Sequence, residues 1–271
     1  MGTDRLQLQR LELKYIISEH QALAVRDFVQ MHLEIDEYSR DKPNFSYRIH
    51  SLYLDSDDLK TYWDTINGLK NRFKLRLRYY DDLPTSPVFF EIKRRMNEAI
   101  LKQRGGVRRP AVPWLLAGQL PEPEHLLSPT NVKQLVALQR FSELMFSIGA
   151  TPKAHVTYFR EAWVSTKDNS IRVTMDRNVY CSPEFGCSLR TELGPPVKPF
   201  GHQVILELKF TGRFPNWFRD LVEAFDLTRG AAAKYADGVA LIGESHFSRR
   251  TVPAPHSGID KATAPGVEEE G

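Results

Sequence analysis

Arg72-Phe73-Lys74-Leu75-Arg76-Leu77-Arg78-Tyr79-Tyr80 alternates, almost without a break, between cations and bulky apolar side chains. Period-two alternation marks a β-strand, where successive side chains leave opposite faces of the pleat. A strand over 72–80 therefore has one face of Phe73, Leu75, Leu77 and Tyr79 and another of Arg72, Lys74, Arg76 and Arg78. The pattern recurs on both sides. Upstream, Leu11, Leu13 and Tyr15 alternate with Arg10, Glu12 and Lys14, which predicts a strand over 9–17. Downstream, Val88, Phe90 and Ile92 alternate with Phe89, Glu91 and Lys93 over 88–94. Around Glu98, Ile100, Lys102 and Arg104 alternate with Ala99, Leu101 and Gln103. Over 203–210, Val204, Leu206, Leu208 and Phe210 alternate with Ile205, Glu207 and Lys209. Further strands are expected at 46–54, 153–165 and 170–176, giving about eight in all.

Between the strands lie helix signals. Ser18 with Gln21 three residues on is a capping box, and it predicts a helix of about 15 residues after the first strand. Other helices are expected near 57–66, 131–147, 215–226 and 231–243. Residues 105–130 hold Gly105, Gly106 and five prolines and read as a connection, interrupted by the apolar Trp114-Leu115-Leu116. There is no internal repeat and no shift in composition. One domain over 1–250 is expected, followed by a disordered tail over 251–271 with an acidic Glu268-Glu269-Glu270 run.

The chain has 271 residues, 41% hydrophobic and 26% charged, which is ordinary for a globular protein. No apolar run approaches the eighteen residues of a membrane helix. Met1 to Arg5 carry no apolar leader, and the two cysteines, Cys181 and Cys187, support neither a disulfide scaffold nor a zinc site. A cytoplasmic, reducing location is the expectation. Net charge is only +3, so the placement of charge matters more than its sum.

For a single strand, a charged face is most simply the solvated outer face of a sandwich. Five strands with charged faces favour another arrangement. Their apolar faces are large enough to be covered by the amphipathic helices, and the charged faces then line the lumen of a closed sheet. Such a lumen is costly to desolvate and makes sense if wet and normally occupied by a polyanion. Backbone phosphate cradles are missing: the chain has no GxxxxGK[ST] loop and no GxGxxG after a strand. HExxH and GxSxG are absent as well. Phosphate chemistry must therefore come from strand side chains. Arg grips phosphate oxygens in pairs, Lys supplies a point charge, and a nearby carboxylate can hold a divalent cation.

The ordered set Arg10-Leu11-Glu12-Leu13-Lys14-Tyr15, Ser51-Leu52-Tyr53-Leu54-Asp55, Lys74-Leu75-Arg76-Leu77-Arg78-Tyr79 and Phe90-Glu91-Ile92-Lys93 resembles the VTC domain. This is the polyphosphate polymerase domain within the triphosphate tunnel (CYTH-like) superfamily. Tyr158-Phe159-Arg160, Val173-Thr174-Met175-Asp176, Leu206-Glu207-Leu208-Lys209 and Lys234-Tyr235 continue the likeness over roughly residues 8–243. The resemblance implies an α+β fold, an eight-stranded antiparallel β tunnel with helices on the outside. It implies transfer of the γ-phosphate of ATP to a growing polyphosphate chain, with Mn2+ or Mg2+ as cofactor. Lys14, Arg76, Arg78, Arg160 and Lys234 would be catalytic phosphate contacts. Lys93, Lys102, Tyr158 and Lys209 would bind substrate, and Glu207 with Glu12 would hold the metal. Arg10 stands at the first position of the superfamily's ExExK motif, as in the VTC branch, which favours polymerase over triphosphatase or cyclase. Ala233 stands where the family often has serine. The chain resembles a free-standing catalytic domain without an SPX-like region, so product export falls to a membrane partner.

Two charged residues are read more plainly: Glu91 as a carboxylate that orients an arginine, and Asp176 as structural. Tyr53 is read as a core or helix-docking aromatic. The implied partners are ATP and polyphosphate. The alternatives are a tunnel triphosphatase and a non-catalytic sensor of nucleotide or polyphosphate. A nucleic-acid binder ranks last, because the polar strand faces show no row of aromatics for base stacking.

Overall fold

The computed structural model describes residues 10–97, 99–166 and 170–248. The tail predicted over 251–271, Gln9 and Glu98 lie outside the described residues. The strands are β1 (Arg10–Ile17), β2 (Glu34–Ile35), β3 (Ser46–Asp55), β4 (Asn71–Tyr79), β5 (Pro87–Met96), β6 (Ala99–Arg108), β7 (Thr151–Val164), β8 (Ile171–Pro183) and β9 (Val204–Thr211). The helices are α1 (Glu19–Val29), α2 (Glu37–Arg40), α3 (Lys60–Ile66), α4 (Val112–Leu116), α5 (Val132–Ser147), α6 (Asn216–Ala224) and α7 (Lys234–Ile242). Among the described residues no helix is long and apolar enough to cross a membrane.

Eight strands form one antiparallel sheet in the order β1-β9-β8-β7-β3-β4-β5-β6, and the short β2 pairs with β7. The apolar faces of the alternating strands lie outward under helices. Leu75, Leu77, Phe90 and Ile92 meet Leu138, Phe141 and Met145 of α5, with the Phe90 and Phe141 rings edge-to-face at 4.9 Å. Val173, Met175, Leu206 and Leu208 meet Ala22 and Val25 of α1 and Phe218 and Leu221 of α6. Each fully buried Leu or Phe contributes about 2 kcal/mol relative to exposure. With that face committed to the core, period two sends the charged face of the same strand to the inside of the curved sheet.

The sheet is curved into a tunnel, yet its hydrogen-bond ladder does not close. The edge strands β1 and β6 bring Cα atoms within 8 Å of each other without pairing. Side chains bridge the seam instead: Lys93 on β5 donates to both carboxylate oxygens of Glu12 on β1 at 3.2 Å.

Three local expectations are corrected. The capping box at Ser18 is present, but α1 has 11 residues, because the chain turns after Gln30 to bury Leu33 and pair Glu34–Ile35 with β7. Gly105 and Gly106 do not begin a connection; they are inside β6, opposite Phe90 and Phe89. A Cβ at Gly105 would lie 2.4 Å from Leu138 and 2.9 Å from the Gln134 carbonyl, so glycine lets α5 press against the strand. β8 continues past residue 176 to Pro183. Asn178 takes a left-handed φ of 49° near the bulge where the β7–β8 register shifts, and this interrupts the alternation that marked the strand.

A third cluster docks α3 and α7 through Tyr53, Tyr62 and Tyr235. Its anchor is Asp55, fully buried, which accepts from the Thr61 and Tyr62 amides, the Thr61 hydroxyl and the Tyr235 phenol at 2.8–3.0 Å. That network ties β3 to both helices and fixes the first turn of α7, which carries Lys234.

Candidate functional site

The inner faces of the strands enclose a cavity of about 590 Å3. All eleven side chains singled out from the sequence line it: Glu12 and Lys14 of β1, Arg76 and Arg78 of β4, Lys93 of β5, Lys102 of β6, Tyr158 and Arg160 of β7, Glu207 and Lys209 of β9, and Lys234 of α7. Fourteen Lys and Arg side chains line it in total, against the two carboxylates Glu12 and Glu207. Two more carboxylates, Glu91 and Asp176, are buried in the wall beneath.

Each carboxylate gathers cations. Glu91 meets Arg76 at 2.7 Å, Lys102 at 2.6 Å and Arg104 at 3.4 Å, with Arg78 at 3.9 Å. Asp176 accepts two parallel bonds from Arg160 at 2.7 Å and a third contact from Lys234 at 2.7 Å. Glu207 is reached by Lys209, by Lys14 at 3.5 Å, by Arg160 at 3.5 Å and by Lys234 at 3.6 Å. Lys14 also reaches Glu12 at 3.4 Å and donates to the Ala232 carbonyl at 2.7 Å. The register sets these meetings, since Lys14 pairs with Glu207 across β1–β9 and Arg76 with Glu91 across β4–β5.

Burial would raise the acids, but the surrounding cations outweigh it. Glu12 is held down to about 2 by Lys93, Lys14 and Lys209, and Glu91 and Glu207 fall well below the usual carboxylate range. All are ionised at neutral pH. Several lysines are instead pushed toward neutrality, although Asp176 and Glu207 raise Lys234. Burial, with Lys14, Lys93 and Arg72 nearby, pushes Lys74 down to about 7. Burial takes Lys209 down to about 8 against the pull of Glu207. The cavity thus holds more positive charge than its acids neutralise.

The structure adds partners to several of these residues. Asp176, read as structural, is a wall carboxylate that orients Arg160 and Lys234. Tyr53 is a core, helix-docking aromatic as expected, stacked on Tyr235 at 5.0 Å, and its phenol oxygen also meets Arg76 Nη1 at 3.1 Å. Tyr158 accepts from Arg78 at 2.9 Å, while its ring underlies Lys234 at 4.8 Å and Arg160 at 5.3 Å. Glu91 orients arginine as expected, and Lys102 and Arg104 both reach it. Lys74, not among the expected site residues, lines the cavity as well, and its parity with Arg76 and Arg78 is the sequence signal that places it inside. Ala233 is the N-cap of α7 and has no side-chain cap to offer; its amide donates to Asp237 at 2.7 Å instead.

For a metal, the donors are few. Among the described residues no group of three or more His, Cys, Asp or Glu side chains is placed to hold an ion. Glu12 and Glu207, bridged by Lys14, suit an ion that keeps phosphate and water as its other ligands, the habit of Mg2+.

The VTC domain family model matches residues 9–242. Vacuolar transporter chaperone complex subunit 4 of Schizosaccharomyces pombe is 23% identical over 250 residues, covering 79% of this chain and 34% of the relative. The chain therefore spans about a third of that relative's length. Among solved structures, a putative adenylate cyclase from Bacillus halodurans is similar at 13% identity and a TM-score of 0.45, over 83% of this chain and 94% of that one. The PH1819 protein of Pyrococcus horikoshii is similar at 12% identity and a TM-score of 0.41, over 86% and 98%.

Proposed function

The chain belongs to the VTC domain family, and on that footing we propose that it is a polyphosphate polymerase, moving the γ-phosphate of ATP onto a polyphosphate chain. The observation that carries this reading is the excess of inward cations over carboxylates in one open-mouthed, water-accessible cavity. A chain of phosphates supplies the missing negative charge along its whole length.

The chemistry asks for little from the protein beyond position and charge. Arg76, Arg78, Arg160 and Lys234 grip phosphate oxygens, already aimed by Glu91, Tyr158 and Asp176. An oxygen of the acceptor's terminal phosphate attacks the γ-phosphorus in line. The bond to the β–γ bridging oxygen breaks, and ADP leaves with that electron pair. The acceptor is already an anion, so no strong general base is needed. Lys14, Lys93, Lys102 and Lys209 offset the repulsion between two polyanions. Glu207 and Glu12 would be the residues to hold Mn2+ or Mg2+ beside the phosphates. When bound, that ion neutralises charge on the transferring phosphate.

Purified protein with ATP and Mn2+ should yield ADP and long anionic polymer resolved by gel electrophoresis. ADP with only free phosphate would overturn the polymerase in favour of a triphosphatase. Tight binding without turnover would leave a sensor. The similarity to a transporter chaperone subunit supports a separate membrane partner that takes up the product.

A further inference from the structure

The cavity has two unlike ends. Along β4 the inward side chains run Arg72, Lys74, Arg76 and Arg78, and Tyr80 follows just past the strand. Eight residues separate Arg72 from Tyr80, about 27 Å at an antiparallel rise. At the Arg72 end, Gly68, Lys70, Arg72, Arg95 and Asn97 line a shallow basic recess with no aromatic ring among them. At the Tyr80 end, rings from four separate elements form a row. Tyr38 to Tyr47, Tyr47 to Tyr80 and Tyr80 to Phe89 each lie 6.3 Å apart between centroids, tilted at 58°, 51° and 72°, so each ring leaves its own face to a ligand. Tyr47 and Tyr80 line the cavity itself. Tyr38 is 65% exposed and Tyr80 38% exposed, and the Arg104 guanidinium lies 3.4 Å over the Phe89 ring.

We infer that this aromatic rim is a nucleobase platform, on which the base of a nucleoside triphosphate stacks against Tyr80, with the tilted Tyr47 ring at its edge, while its phosphates run inward. Exposed rings at the mouth of a polycationic cavity suit a ligand with an aromatic head and an anionic tail. Tyr80 is two residues from Arg78, about 7 Å along the chain, so base and phosphates meet consecutive groups. Stacking uses the π-face that every base has, so the platform favours nucleotide over bare phosphate without selecting one base strongly. It also gives the tunnel a direction: nucleotide enters at the tyrosine rim, and polymer occupies the ring-free basic end. The inference rests on the reading of the cavity as a phosphate site. It also revises the ground on which base stacking was set aside: no one strand carries the row, because α2, β3, the β4–β5 connection and β5 each supply a ring.

The test is titration calorimetry of the full chain with ATP and with inorganic tripolyphosphate, both with Mg2+. Tyr80→Ala should weaken ATP roughly tenfold, the scale of one lost stack, and leave tripolyphosphate within about twofold. Tyr80→Phe should bind both as the wild type does. Tyr38→Ala, at the more exposed ring, should give a smaller loss for ATP alone. Equal weakening of both ligands, or unchanged ATP affinity in Tyr80→Ala, would overturn the platform and leave the phosphate tunnel standing. A wild type that binds neither ligand would overturn the phosphate reading, and this inference with it.

Discussion

Glu91→Gln tests what holds the cationic wall in place. One carboxylate, 1% exposed, stands among Arg76, Arg78, Lys102 and Arg104. Glutamine keeps its shape and removes its charge, so Arg76 and Arg78 face each other with no counter-ion between them. Taking one partner from a buried ion pair costs about 3–5 kcal/mol. Lys102 and Arg104 are partly exposed and relax into water, so the lower end, about 3 kcal/mol, is expected at pH 7. Urea unfolding followed by tryptophan fluorescence reads this directly. The pH dependence carries the sharper signature. Burial alone would raise the Glu91 pKa, but Arg76, Arg78 and Lys102 hold it well below its ordinary value of 4.5. Because the folded value is depressed, the wild type's advantage is complete above the unfolded value. It then shrinks as pH falls, by about 1.4 kcal/mol per pH unit until the folded value is reached. The gap between wild type and variant should therefore close toward acid below about pH 5. A gap below about 1 kcal/mol at pH 7, the scale of an exposed pair, would refute the argument. So would a gap that ignores pH down to about 3.

Arg76→Ala should lose about 2 kcal/mol of transition-state stabilisation, roughly 30-fold in kcat/KM with ATP and Mn2+; activity within about twofold of wild type would show that Arg76 does not touch the reacting phosphates. Glu207→Gln should raise the metal concentration needed for half-maximal activity while the protein stays folded by circular dichroism, and an unchanged metal titration would remove Glu207 from the metal. Lys74, held near 7, is largely neutral at pH 8 in the empty cavity, and a bound polyanion should draw a proton onto it. Tripolyphosphate titrations in two buffers of different ionisation enthalpy should reveal proton uptake at pH 8 that falls in Lys74→Met; equal uptake in both proteins would exclude Lys74 as its source.

The sequence by itself determined which side chains share a face. Alternation is a local property of an extended chain, so Arg76 and Arg78, or Glu207 and Lys209, could be placed together from spacing alone, and all eleven chosen residues line one cavity. It also favoured a charged face turned inward, because five strands shared the pattern and helices could cover their apolar sides. Where alternation broke, legibility ended. Asn178 hid the second half of β8, and Gly105–Gly106 resembled a loop until Leu138 and Gln134 were seen against them. Which cation answers which carboxylate was decided only by the tertiary structure. Asp176 gained its role when β7 and α7 brought Arg160 and Lys234 onto it, and Tyr53 when β4 set Arg76 beside it. The aromatic rim is the clearest case, since its rings come from two segments, 38–47 and 80–89, that meet only when β3, β4 and β5 pair side by side. Pairing of charges and stacking of rings depend on distance through space, and the register and curvature of the sheet set that distance.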